Sequence, residues 1–290
     1  MNGILLVDKP SGWTSSDVVV KLKGVLHERR IGHAGTLDPM ATGLLTVFVG
    51  RATRAVQFAE AQDKRYLASL RLGVETDTLD ITGAVINECE ADFGIGAVRA
   101  ATSGFVGAQM QLPPMYSAIK VNGRRLYDIA RGGGTVERAP RPVNIYSIDV
   151  LGGAQADWQL DVRCSKGTYI RTLCADIGAA LGVGGCMSSL RRLEAGQFSV
   201  DSAYSLDEII AAAEKGEAEG LLRGVDTLFA SRPEYIADAR QAARIRVGGS
   251  FPVPGLSDGE FRVYDENGTF LMLGRAEGEA MATVKSFFEV

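Results

Sequence analysis

Short alternating apolar runs are interleaved with stretches whose apolar residues recur at helical spacing, so the chain reads as strands and helices in mixture. Residues 3–7 form an apolar run that stops at Asp8-Lys9-Pro10. Val18, Leu22, Val25 and Leu26 then share one helical face, and Thr14 with Asp17 three residues on predicts a capped start. Residues 44–49 are apolar throughout and close with Gly50, which predicts a buried strand. A second helix is expected over 51–62, with Ala52, Ala55, Val56 and Ala59 on one side. Tyr66, Ala68, Leu70 and Leu72 alternate as in a half-buried strand. Residues 76–80 read as a polar loop with little chemistry, followed by a strand at 83–87 and a helix at 97–104. Residues 143–150 and Asp157–Cys164 read as paired strands. The next helix has Leu173, Ile177, Ala180 and Leu181 on one face and Gly182 as its stop.

The C-terminal part has a different rhythm. Ser205 with Glu208 predicts a capped acidic helix over about 206–219. A linker-like Ser231-Arg232-Pro233 follows. Beyond it come a short helix near 237–247 and strands at 261–264, 270–273 and 280–284, with Asn267-Gly268 as a turn. The fold class is α+β, with a small β-rich module at the end.

Composition narrows the function classes. Hydrophobic residues make up 46% of 290, ample for a sizeable core. There is no apolar run of membrane-spanning length, and the start has no basic region ahead of an apolar one. A cytoplasmic protein away from membranes is expected. Four cysteines without a CxxC pair, and two histidines, argue against zinc or a disulfide framework. No metal and no cofactor are expected. Net charge is −4, but residues 1–200 carry 22 basic and 19 acidic side chains, and 201–290 carry 9 and 16. Six basic residues stand against two acidic ones within 120–141, a local basic face able to attract phosphates.

The candidate chemistry centres on residues 32–45, GHAGTLDPMATGLL. Three glycines and Pro39 set Asp38 on a backbone that cannot easily relax. Taken alone, an Asp before Pro is also a common turn opener. The segment resembles the catalytic-aspartate motif of the TruB family of tRNA pseudouridine synthases. DKPSGWTSSDVV near the start, KRYLASLRLG at 64–73, PPMYSAIKVNGRRLYDIAR at 113–131 and CSKGTYIRTLCADIG at 164–178 resemble the same family in the same order, over about residues 3–195.

That resemblance implies a pseudouridine synthase fold: a central mixed, mostly antiparallel sheet flanked by helices. Residues 1–230 would be the catalytic domain, with 113–142 a thumb-like insertion gripping RNA, and 231–290 a PUA-like domain. It implies isomerisation of uridine 55 in the tRNA T-loop, with Asp38 as nucleophile on a flipped-out base. Tyr66 would stack on that base, Arg171 would pair with Asp38, and Leu190 would pack against the base. His33 would lie against the RNA loop, and Tyr169 would sit beside Arg171 in the substrate site. Lys120, Arg124, Arg125 and Arg131 would meet RNA phosphates. Lys9 and Pro10 would shape a loop beside the site, although Lys9 by itself reads as a surface lysine. The partner implied is the tRNA T-arm, met by a monomer without a guide RNA. Two other classes are a non-catalytic tRNA-binding or RNA-folding protein on the same scaffold, and a carboxylate-dependent hydrolase. The hydrolase needs a second acid, and no other acid has a comparable loop context.

Overall fold

The computed structural model describes residues 1–117, 119–121 and 123–288, the side chains of Lys120 and Arg125 excepted. The first apolar run forms β1 (Gly3–Lys9) and is almost wholly buried. Helix α1 (Ser15–Val25) follows, opened by the expected capping box between Thr14 and Asp17. Then come β2 (Ile31–Ala34) and β3 (Thr42–Val49), the latter buried along nearly its whole length because it lies inside the sheet. The expected second helix is divided. Residues Gly50–Ala55 wind as a tighter 3-10 turn, and only α2 (Val56–Glu60) is α-helical. Gly50, at φ +66, starts the tight turn, which carries Ala52 and Ala55 onto the core.

Strand β4 (Lys64–Leu72) buries Ala68, Leu70 and Leu72 as the alternation requires. A small hairpin, β5 (Val74–Thr76) with β6 (Val85–Glu88), leads to α3 (Ile95–Ser103) and β7 (Gly107–Gln111). The basic segment folds as a two-strand hairpin, β8 (Lys120–Val121) and β9 (Arg124–Arg125), with α4 (Leu126–Arg131). Strands β10 (Arg141–Ala154) and β11 (Asp157–Cys164) pair antiparallel as expected. Helix α5 (Ile170–Ala180) buries Leu173 and Ile177, but Ala180 is exposed at its last turn. β12 (Gly185–Ala195) and β13 (Phe198–Ser199) complete one nine-stranded sheet, ordered β1-β3-β12-β4-β11-β10-β7 with β2 on β3 and β13 on β12. Its pairings are antiparallel except β12 on β3. The sheet is therefore mixed and mostly antiparallel. No helix among the described residues is long and apolar enough to cross a membrane.

Helix α6 (Leu206–Glu214) has the expected Ser205–Glu208 capping box but ends five residues early, where Gly216 turns the chain at φ +76. Beyond 230 lie β14 (Glu234–Ala237), α7 (Ala239–Arg246), β15 (Phe251–Pro252), β16 (Gly259–Asp265), β17 (Phe270–Glu277) and β18 (Ala280–Ser286). They form a five-stranded sheet with its own core. Residues 231–233, read as linker-like, are held at both ends: Arg232 N donates to Phe229 O, and Pro233 O accepts from Arg262 N. Phe229 then joins the two units, with ring centroids 5.3 Å from Phe58 on one side and 5.9 Å from Phe287 on the other.

Candidate active site

Asp38 sits in the connection between β2 and β3, and residues 9–15 hold that connection from below. Lys9 Nζ donates to the carbonyls of Pro10 (2.9 Å), Trp13 (2.6 Å) and Pro39 (3.3 Å). Gly12 N donates to Pro39 O, and Leu37 N to Ser15 Oγ. Lys9 is wholly buried, not a surface lysine, because the β1 register carries it beneath the loop. Burial lowers its ammonium to about 8, with Asp38 pulling the other way.

The Arg171 guanidinium meets the Asp38 carboxylate with two nitrogens, Nε to Oδ2 at 3.0 Å and Nη2 to Oδ1 at 3.1 Å. This is the planar fork that suits a carboxylate. Helix α5 fixes the arginine in its first turn, where only 5% of the side chain is exposed. The remaining donors of Arg171 go to Thr78 O (3.0 Å) and Tyr116 O (2.7 Å). Asp80 Oδ2 lies 3.6 Å from Nη1. About 32% of the Asp38 side chain stays open. Burial of its surroundings pushes the carboxyl above the ordinary carboxylate value; Arg171 opposes this, and Asp80 adds to it.

Asp80 overturns two expectations. Residues 76–80, read as a polar loop with little chemistry, bury Thr76 and Asp80, because Ile81 N and Leu79 O bond the backbone of Met187 in β12. A second acid is therefore present beside Asp38. It is already engaged, since Asp80 Oδ1 accepts from Thr78 Oγ1 (3.0 Å) and Thr82 N (3.0 Å) while Oδ2 faces Arg171. Of the two, only Asp38 is open to the outside, so the pair does not flank a bond as in a glycoside hydrolase.

Tyr66 and Leu190 come from adjacent strands, Leu190 opposite Ala68 and Tyr66 opposite Arg192. Leu190 is 8% exposed and belongs to the core, with Tyr66 and Met40 packed against the same cluster. Tyr169 caps α5; its backbone is held by Gln111 in both directions, N to Oε1 at 2.7 Å and Nε2 to O at 3.0 Å. Burial raises both tyrosine hydroxyls, and Asp38 acts on each in the same direction. His33 is half-buried on β2, its Nδ1 without a hydrogen-bond partner among the described residues, and burial with nearby Arg192 lowers its imidazole.

Arg192 is a residue that sequence reasoning passes over. It is 1% exposed, donating Nε to Leu44 O at 2.6 Å and Nη2 to Gly35 O at 2.9 Å. The one available signal was the parity of the LRR run, which puts Arg192 on the side of β12 that also buries Leu190.

Of the four basic residues assigned to RNA, Arg124 and Arg131 are exposed, Arg131 lying 5.5 Å over the Tyr127 ring. The side chains of Lys120 and Arg125 lie outside the described residues. The insertion is tied to the site through its base: Tyr127 N donates to Ser117 O, next to the Tyr116 carbonyl that Arg171 holds.

Two family models match the chain. The N-terminal domain of TruB family pseudouridylate synthases covers residues 23–170, and the tRNA pseudouridylate synthase B C-terminal domain covers 171–229. The tRNA pseudouridine synthase B of Aromatoleum aromaticum is 42% identical, covering 98% of this chain and 92% of its own. That of Clostridium kluyveri is 39% identical over 99% and 100%. Among solved structures, an H/ACA ribonucleoprotein bound to a substrate RNA containing 2′-deoxyuridine includes a chain with a TM-score of 0.76. It is 25% identical, and the match covers 99% of this chain and 85% of that one. A Cbf5–Nop10–Gar1 complex gives 0.77 at 27% identity over the same shares.

Proposed function

The chain belongs to the TruB family of pseudouridylate synthases, and on that premise we propose that it acts on uridine 55 in the T-loop of tRNA, with Asp38 as the nucleophile. It is a tRNA pseudouridine synthase, an isomerase with the pseudouridine synthase fold. The reaction breaks the C1′–N1 bond of uridine, turns the base and joins C1′ to C5, so product and substrate contain the same atoms.

The observation that carries the role of Asp38 is its two-point contact with Arg171 combined with its open side. A carboxylate can attack and later leave. The guanidinium favours its ionised form and fixes its direction, and the open third is where a ribose can approach. Attack on C1′ and proton abstraction toward a glycal both use the same ionised oxygen.

In this reading the base is flipped out of the loop at a cost of a few kcal/mol. Tyr66 offers its ring as a stacking face, and Leu190 packs on the same base. His33 lies against the RNA loop, and Tyr169 lines the site beside Arg171. Arg124 and Arg131, with Lys120 and Arg125, neutralise phosphates of the T-arm and offset the flipping cost. Residues 1–230 act as the catalytic domain, with 113–142 as the gripping insertion. Residues 231–290 act as a PUA-like domain. The protein works as a cytoplasmic monomer and needs no guide RNA.

The test is pseudouridine mapping on unmodified tRNA treated with purified protein alone, beside Asp38→Asn. Conversion confined to the T-loop uridine is expected from the native chain. Unchanged tRNA affinity without conversion is expected from the variant. Conversion by Asp38→Asn, or dependence on an added RNA, overturns the reading.

A further inference from the structure

Arg192 has the bulkiest of the fully buried side chains among the described residues, and there it makes no ion pair with a carboxylate. A desolvated cation without a counter-charge is costly, and a well-packed apolar residue of similar volume would avoid that cost. Its contacts give it another use. Gly35 follows the end of β2 and Leu44 lies near the start of β3, so the two carbonyls it holds bracket the connection that bears Asp38. The main chain of Arg192 serves the same connection. It stands opposite Gly43 in the parallel pairing of β12 with β3, where a Cβ on Gly43 would come within 2.3 Å of Arg192 O. On its other side Arg192 is the register partner of Tyr66. One residue thus touches both ends of the acid-bearing loop and pairs with Tyr66 on the neighbouring strand.

We propose that Arg192 is a positioning residue for the reaction, setting the Asp38 loop and the Tyr66 ring at their working separation without itself meeting the substrate. The proposal rests on Asp38 and Tyr66 forming the site. Its positive charge also acts against the upward shift that burial gives the Tyr66 hydroxyl. The two arginines divide the work. Arg171 holds the carboxylate directly, whereas Arg192 holds the backbone on which the carboxylate is mounted. The planar fork matters here, because a lysine ammonium is a single point on a flexible stem and does not reproduce two fixed directions.

The experiment compares Arg192→Met, Arg192→Lys and Asp38→Asn with the native protein. Thermal melting, tRNA affinity and steady-state turnover on unmodified tRNA are measured for each. A displacement of about 1 Å at reacting groups costs on the order of 100-fold in rate. Arg192→Met is therefore expected to lose roughly 100-fold in kcat with KM and tRNA affinity within about 3-fold, and Arg192→Lys to recover only part of that loss. A role in packing alone would lower the melting temperature and leave kcat per folded molecule unchanged. Native kcat in folded Arg192→Met, or a loss confined to KM, overturns the proposal. If the methionine variant does not fold, native kcat in folded Arg192→Lys overturns it equally. Asp38→Asn keeps the two questions apart. Conversion by that variant defeats the site reading itself. Its inactivity beside fully active Arg192 variants defeats only the role given to Arg192.

Discussion

Asp38 is the residue on which pH acts most directly. Its carboxyl is raised by burial, and on the proposal that Asp38 is the nucleophile only its ionised form attacks. Turnover is therefore complete above that raised value and is lost as pH falls through it, so the acid limb of the kcat profile should lie above the ordinary carboxylate value of 3.8. An acid limb at or below 3.8 in single-turnover measurements would contradict this. Asp80 answers to a different experiment. Asp80→Asn removes the second negative charge beside Arg171 but preserves shape, and we expect kcat to fall roughly 10- to 100-fold with tRNA affinity unchanged. The pairing of Arg171 with Asp38 was legible in the chain because each residue sits in a local motif of its own. Asp80 was not, because its burial is imposed by Met187, more than a hundred positions away, and TDTLD alone has the composition of a solvated turn. The loop-shaping place of Lys9 came from its motif, but its burial, like the whole of Arg192, was not legible, because strand register, not composition, took both side chains inside.

At the scale of elements, the β2–β3 connection owes its shape to the segment between β1 and α1, and Lys9 is the principal tie. Lys9→Met takes a donor from three carbonyls, of which Pro39 O keeps only Gly12 N, and should destabilise the fold by about 3 kcal/mol, read from the urea midpoint. Its titration gives an independent check. The folded-state value is about 8 against 10.5 for the free side chain. Between these values the unfolded chain holds more protons, so native stability rises with pH across that window. Lys64, also near 8, contributes in the same sense. Stability of Lys9→Met should rise less steeply from about pH 8 to about pH 10 than that of the native protein, and an equal slope would refute the assignment. The helix expected over 51–62 marks where periodicity reaches its limit. The alanine face was correct, but apolar spacing does not distinguish a 3-10 turn from an α-helical one when Gly50 sets the first step.

At the scale of the whole molecule, the two units share a core through Phe229, which contacts Phe58, Phe270 and Phe287. Phe229→Ala should cost about 3–5 kcal/mol and open the chain near 231–233 to protease before the rest unfolds. A single unchanged transition with no early cleavage would show that the joint is not held there. The small β-rich module was legible from its alternation and its turn residues. Its anchorage was not, because the aromatic partners are scattered over more than two hundred residues. Arg171 and Arg192 stand 133 and 148 positions beyond Asp38 and Leu44, the groups they hold. A ribosome therefore delivers the acid-bearing loop long before either arginine emerges. On the role proposed for Asp38, a nascent chain stopped short of α5 would display the full GHAGTLDPMATGLL signature but lack the guanidinium that orients its acid, so competence would wait for the returning strand to close behind the loop.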